Sequence, residues 1–189
     1  MKRYSVTIIF TAFFIGYFST IQASDKASST EVRTLLLLKL LYLNSNFEFA
    51  KIDSFVIAVT GDYLDVRALN EMENVFNAFK KHSKNFRVCG KPIKIIKQNI
   101  HSFKYHNFKD CNSMFIVSGE QIDLSKILEY TSKTKIISMA FNPDYIVHGV
   151  SLGIRIGEDS SPEILINLAQ LKDEGGRFDA DILQLAKIY

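Results

Sequence analysis

The chain has 189 residues, 23 basic and 20 acidic, with a formal net charge of +3. That near balance argues against a nucleic-acid binder, which would show a basic stripe. The closest segment, Lys80–Arg87 (KKHSKNFR), reads as the solvated end of a helix.

At the N-terminus, Lys2 and Arg3 precede an apolar run from Val6 to Phe18, interrupted only by Thr7, Thr11 and Gly16. Small residues follow, with Ala23 placed for cleavage before Ser24. This layout is that of a secretory signal peptide over residues 1–23. A spanning helix needs roughly 20 apolar residues, more than this run supplies. Export would remove two basic and no acidic residues, leaving 166 residues and a charge of +1. That length suits one domain with its own core. Residues 24–30 (SDKASST) are expected as a flexible mature N-terminus, and 31–189 as the domain.

Glu31–Leu43 is rich in strong helix formers, with Thr30 as its candidate N-cap. Its leucines cover more than one face, so the helix is expected to be buried. Ser54–Asp62 is short, apolar and β-branched and closes on Gly61, which reads as a buried strand. A helix over 66–81 follows, where Val66, Leu69, Met72, Val75, Phe76 and Phe79 form one apolar stripe.

KPIKIIKQ and SMFIVSG read as two more strands. Asp123 is positioned to cap a short helix in DLSKILEYTSKT, and KIISMAF is a fourth strand. The order α-β-α-β-β-α-β predicts an α/β fold with a largely parallel central sheet. Val150, Leu152, Ile154 and Ile156 then alternate as in a half-buried strand. EDSSP supplies a turn and EILINL returns, making a β-hairpin at the sheet edge or beside it. Asp179 opens a terminal helix in which Ile182, Leu185, Ala186 and Tyr189 share a face. The expected class is therefore α/β: one domain, a mixed β-sheet with flanking helices, a C-terminal hairpin and a terminal helix.

Gly149–Gly153 (GVSLG) matches the nucleophile elbow of α/β-hydrolases, which needs a strand, a sharp turn presenting the serine, then a helix. Here the strand alternation runs straight through Ser151, and no histidine follows His148. The match reads as coincidence. His82, His101, His106 and His148 do not make a metal-ligand pattern; His101 and His106 read as a surface loop even with Asp110 or Cys111 beside them. Asp53, Asp62, Asp65 and Glu120 lie near strand ends but are not paired for acid–base work. The sequence supplies no catalytic, cofactor-binding or metal constellation.

Cys89 and Cys111 are the only cysteines. In an exported protein two cysteines more often pair, and these would meet if the strands beginning near Pro92 and Met114 are neighbours. Two free thiols are the alternative. Closing such a loop stabilises by about 3 kcal/mol in the chain-entropy view.

Taken in order, FVIAVTGD, CGKPIKIIK, CNSMFIVSGE, GVSLGIRI and EILINLAQLKDEGGRFDADILQLAKIY resemble the YfiR (HmsC-like) family over residues 31–189. The most specific part is Ile166-Asn167-Leu168, the Gly175-Gly176 turn and Leu183-Gln184-Leu185-Ala186. The chain departs from the family in having no tryptophan, with NFEFAKIDS where Trp-Pro is common. Asn112 stands where a histidine often follows the cysteine, and Asp179-Ala180-Asp181 where Ser-Ser often opens the last helix.

The resemblance implies a periplasmic, non-enzymatic regulator whose cysteines form a disulfide. It further implies repression of an inner-membrane diguanylate cyclase through its periplasmic sensor region, with effects on cyclic di-GMP and biofilm formation. It leaves homodimerisation open. The alternative is a periplasmic small-molecule binding module with a cleft at the strand ends.

Overall fold

Phe55–Gly61 (β1) is buried along its whole length. A strand buried on both faces belongs in the middle of a covered parallel sheet. The structure, a computed structural model, describes residues 28–44, 53–100, 108–119 and 122–189. The expected signal peptide, most of the expected flexible N-terminus, His101, His106 and Glu120 lie outside the described residues.

β1 is preceded by α1 (Ser29–Leu43) and followed by α2 (Val66–Ser83), β2 (Arg87–Val88), β3 (Lys91–Asn99) and β4 (Ser113–Ile116). Next come α3 (Leu124–Thr134), β5 (Ile137–Ala140), α4 (Pro143–Val147) and β6 (Leu152–Ile156). The chain ends with β7 (Pro162–Ile166), α5 (Leu168–Asp173), α6 (Ala180–Gln184) and β8 (Ala186–Ile188). The strands form one sheet in the order β2-β3-β1-β4-β5-β6-β7-β8. From β3 to β6 every pairing is parallel. The antiparallel pairings are β2 with β3 and β6 with β7. This is the mixed α/β sheet that the element order predicts.

Alternation sorts the side chains onto two faces. Phe55, Ile57 and Val59 of β1 join Phe115, Ile137, Met139, Leu152 and Ile154 in a core closed by α1, α2, Phe178 and Ile182. Val56 and Ala58 face the other way, with Met114, Ile116, Ala140 and Leu165 beneath Ile127 and Tyr130 of α3 and Ile146 of α4. Phe115 meets Phe79 edge-on at 5.7 Å and Phe141 at 4.7 Å, each pair contributing about 0.5–1.5 kcal/mol beyond burial.

α1 is buried at Leu36, Leu37, Leu38, Leu40 and Leu41, as its leucine-rich sequence predicts. Its cap is Ser28, whose hydroxyl accepts the Glu31 amide at 3.3 Å, rather than Thr30. In α2, Ala68, Met72, Val75 and Phe79 carry the buried stripe, but Val66 stands outside it. The expected hairpin is β6–β7, pairing Leu152 with Ile166 through Ile156 with Pro162.

The C-terminus departs from the expectation of one helix. That helix stops at Gln184, Leu185 is 60% exposed, and Ala186–Ile188 pairs in parallel with Ile164–Ile166. An apolar pattern of so few residues suits a strand as well as a helix turn, and the open backbone of β7 decides between them.

Candidate functional site

The chain leaves β1 toward β3 on one side, then returns to β4 on the other. Open α/β sheets bind partners and ligands at such a switch point, outside the carboxyl ends of the strands. Here those ends are closely tied. Thr60 donates its hydroxyl to the Phe115 carbonyl at 2.9 Å and accepts the Val117 amide at its own carbonyl at 2.9 Å.

The loop after β1 is held by two carboxylates. Asp62 is 5% exposed and accepts the Leu64 amide at 2.8 Å, a short turn closed on its own backbone. Asp65 caps α2, accepting the amides of Arg67 at 2.8 Å and Ala68 at 3.2 Å. With the backbone fixed at both points, Tyr63, Leu64 and Val66 are 40%, 85% and 70% exposed. After β4 the Gly119 amide donates to the Tyr145 hydroxyl at 3.3 Å. A Cβ on Gly119 would lie 3.2 Å from Ile122 and 3.9 Å from Asp62, so the loops after β1 and β4 run close together. The site offers apolar side chains on a stiff loop, an arrangement suited to protein contact.

Asp62 and Asp65 are thus the strand-end carboxylates that matter, and both act on backbone. Asp53 precedes β1, at the amino end of that strand and away from the switch point. Periodicity alone places Val66 in the core stripe; the missed signal was its position immediately after a capping aspartate.

Each member of the G-x-S-x-G match has a separate structural role. Gly149 takes φ +115° after α4. A Cβ on Gly153 would approach Ile146 to 2.8 Å and the Ala140 carbonyl to 3.1 Å, so glycine lets α4 lie close on β6. Ser151 is fully buried and donates its hydroxyl to Glu174. The Ser151 amide donates to the Ser138 hydroxyl at 3.0 Å.

Glu174 was hidden in a segment that reads only as a helix stop. It is 1% exposed and accepts from the Ser138 amide at 2.8 Å, Gln170 at 3.0 Å and the hydroxyls of Ser151 and Thr131. Burial pushes its carboxyl above the usual range, against the pull of these donors. This network joins the amino ends of β5 and β6 to α3 and α5, at the end of the sheet opposite the loop after β1. Two fully buried serines in apolar stretches, Ser138 within β5 and Ser151 just before β6, are the available clue.

The cysteine staple rested on neighbouring strands, and that premise does not hold. β1 lies between β3 and β4. Strands flanking a third are roughly 9–10 Å apart, beyond the usual Cα reach of a disulfide. Both thiols are free. Cys89 is exposed in the turn joining β2 and β3, where Cys89 and Gly90 both have positive φ, the conformation a two-residue hairpin turn requires. Cys111 is buried, and burial, with Asp110 beside it, pushes its thiol up to about 11. Asn112 pins β1 to β4: its side-chain oxygen accepts the Val56 amide at 2.8 Å while its own amide donates to the Val56 carbonyl at 2.9 Å.

His82 is half-buried, and burial lowers its pKa. The His148 Nδ1 lies 2.7 Å from the Asp144 carbonyl. Among the described residues, no group of three or more His, Cys, Asp or Glu is placed to hold a metal ion.

A family model described as YfiR/HmsC-like matches residues 44–187. The chain belongs to the YfiR/HmsC-like family. Membership supports a periplasmic regulatory role in general terms. The match begins at Asn44, just after α1, and takes in β1 through β8 almost entirely. No curated protein matches. Among solved structures, this family member is similar to an ABC domain from Streptococcus pneumonia, in complex with L-Trp, at 9% identity and a TM-score of 0.58. That likeness covers 84% of this chain and 59% of the other. It is also similar to a conserved domain protein from Vibrio cholerae O1 biovar El Tor strain N16961, at 10% identity and a TM-score of 0.56. There the coverage is 82% of this chain and 59% of the other. The chain thus spans under two thirds of either structure, and the likeness is one of fold alone.

Proposed function

We propose that this protein is a non-enzymatic periplasmic regulator that represses an inner-membrane diguanylate cyclase by binding its periplasmic sensor region. Relief of that repression would raise cyclic di-GMP and promote biofilm formation. In this reading residues 1–23 are a cleaved signal peptide, 24–30 a lead segment and 31–189 the working domain.

The observation that carries the reading is the rigid loop at the sheet's switch point, with Tyr63, Leu64 and Val66 turned outward. Apolar and aromatic anchors at the centre of a contact supply most of the binding energy between proteins. A repressor works by binding one state of its target better than the other, and needs no chemistry of its own. Family membership supports a partner-directed role. No described helix is long and apolar enough to cross a membrane.

The test is co-purification from membranes of cells expressing the tagged chain, compared with a Leu64→Asp variant. The wild type should bring down a cyclase, and the variant should lose it while keeping its thermal midpoint. If the wild type captures no cyclase, or Leu64→Asp captures it equally well, the reading fails.

A further inference from the structure

From Asn74 to Lys109 the sequence contains nine lysines and arginines and no aspartate or glutamate. The rest of the chain holds 14 basic and 20 acidic residues, so the near-neutral total conceals a strongly polarised molecule. The fold gathers much of this run at one margin of the sheet. Lys80 and Lys84 are exposed at the end of α2, Arg87 on β2, and Lys94 on β3; Lys91 is half-buried beside them. Lys81 and Lys97 pair with Glu31 and Glu73, but Lys80, Lys84, Arg87, Lys91 and Lys94 form no ion pair among the described residues.

We propose that this β2–β3 margin is a docking surface for anionic phospholipid headgroups, holding the protein edge-on against a bilayer. Lysines on an outer strand keep other strands from adding to a sheet. That accounts for Arg87 and Lys94, but Lys80 on α2 and Lys84 just past its end guard no strand. Four of the five unpaired cations are lysine, a flexible point charge suited to a diffuse anionic plane rather than to the bidentate forks of phosphate or base recognition. They spread over both faces of the sheet edge, with Lys91 on the face of Val88 and Arg87 and Lys94 on the other. Single-stranded nucleic acid asks for a groove with stacking aromatics, whereas these cations are divided between the two faces of the sheet edge. Half-buried Phe86, between Lys84 and Arg87, packs against the core and so anchors this cationic segment to the domain. The margin is separate from the Tyr63–Val66 loop, so lipid and protein contacts are compatible.

The test uses the chain exported to and recovered from the periplasm, sedimented with protein-free vesicles. Vesicles of phosphatidylcholine are compared with vesicles containing phosphatidylglycerol. Binding should require phosphatidylglycerol and vanish at about 0.5 M salt, where screening shrinks to a few Å. A Lys84→Glu/Arg87→Glu/Lys94→Glu variant should bind at least about tenfold more weakly. A Lys80→Gln/Lys84→Gln variant, which leaves the strands untouched, should show a partial loss, with circular dichroism confirming that both fold. Equal binding to phosphatidylcholine would overturn the proposal, because attachment would then be apolar. Undiminished binding by both variants would overturn it too, as would capture of duplex DNA at the same salt with no vesicle binding. Because the vesicles carry no protein, failure here leaves the cyclase reading untouched.

Discussion

Ser151 donates its hydroxyl to the carboxylate of Glu174, 23 residues further along the chain, and both are sealed from solvent. The serine that resembles a nucleophile is therefore committed as a donor to a buried acid. Replacing it with alanine leaves that acid short of a partner. Ser151→Ala should cost about 1–3 kcal/mol of stability, the usual penalty for an unsatisfied buried group. Urea unfolding monitored by circular dichroism checks this, and an unchanged midpoint would deny the network its structural role.

Glu174 also makes stability depend on pH. Burial raises its folded pKa above the ordinary value of 4.5. For a carboxyl shifted upward, the stabilising contribution is complete below 4.5 and is lost as pH rises toward the raised folded value. Wild type should therefore lose stability relative to Glu174→Gln as pH climbs from the acid side. Paired denaturation curves across that range would show the difference shrinking with pH; a difference independent of pH would mean that Glu174 does not titrate in the folded protein.

Gly153 tests the contact between α4 and β6. A methyl there collides with Ile146, whose Cδ1 and Cγ1 would both lie at 2.8 Å. Gly153→Ala should destabilise by about 1–3 kcal/mol, as overpacked cores do. Combining it with Ile146→Val, which removes the Cδ1 methyl, should recover part of the loss. No recovery would place the strain elsewhere.

The two thiols should react very differently. Cys89 is exposed in a hairpin turn, whereas Cys111 is 8% exposed and its thiol is pushed up to about 11. A maleimide should label Cys89 alone in the native protein and both residues in denaturant, read by mass mapping. A disulfide-linked Cys89–Cys111 peptide in a non-reducing map would show that the chain rearranges around β1 to close it.

The fold was legible where one signal dominated. β1 declared itself through unbroken apolar residues, and α2 through Met72, Val75 and Phe79 at helical spacing. The hairpin followed from Leu152, Ile154 and Ile156 alternating before a turn. Strand order was not legible, because nothing in the segments around Cys89 and Cys111 says which strand enters between them. The staple therefore loses its premise of neighbouring strands, since β1 lies between β3 and β4. β8 escaped because Ala186–Ile188 is too short to show a period, and only the open edge of β7 selects it. The exposed loop is half-visible: Asp62 and Asp65 read as strand-end carboxylates, but their backbone duties, and the outward turn of Leu64 that results, depend on local geometry. The charge of the β2–β3 margin was written in the sequence yet diluted by averaging over the whole chain.

The Asp62 turn carries a kinetic consequence. Its hydrogen bond to Leu64, together with the Asp65 cap, sets the shape of the loop before any partner arrives. Little conformational freedom remains to be surrendered on association, which for mobile loops is a large part of the cost of binding. Encounter should then approach that of two rigid bodies, with affinity expressed mainly in how slowly the complex comes apart. Loosening the loop at Asp62 would leave Tyr63, Leu64 and Val66 chemically intact while letting them wander, so recognition would suffer through entropy alone.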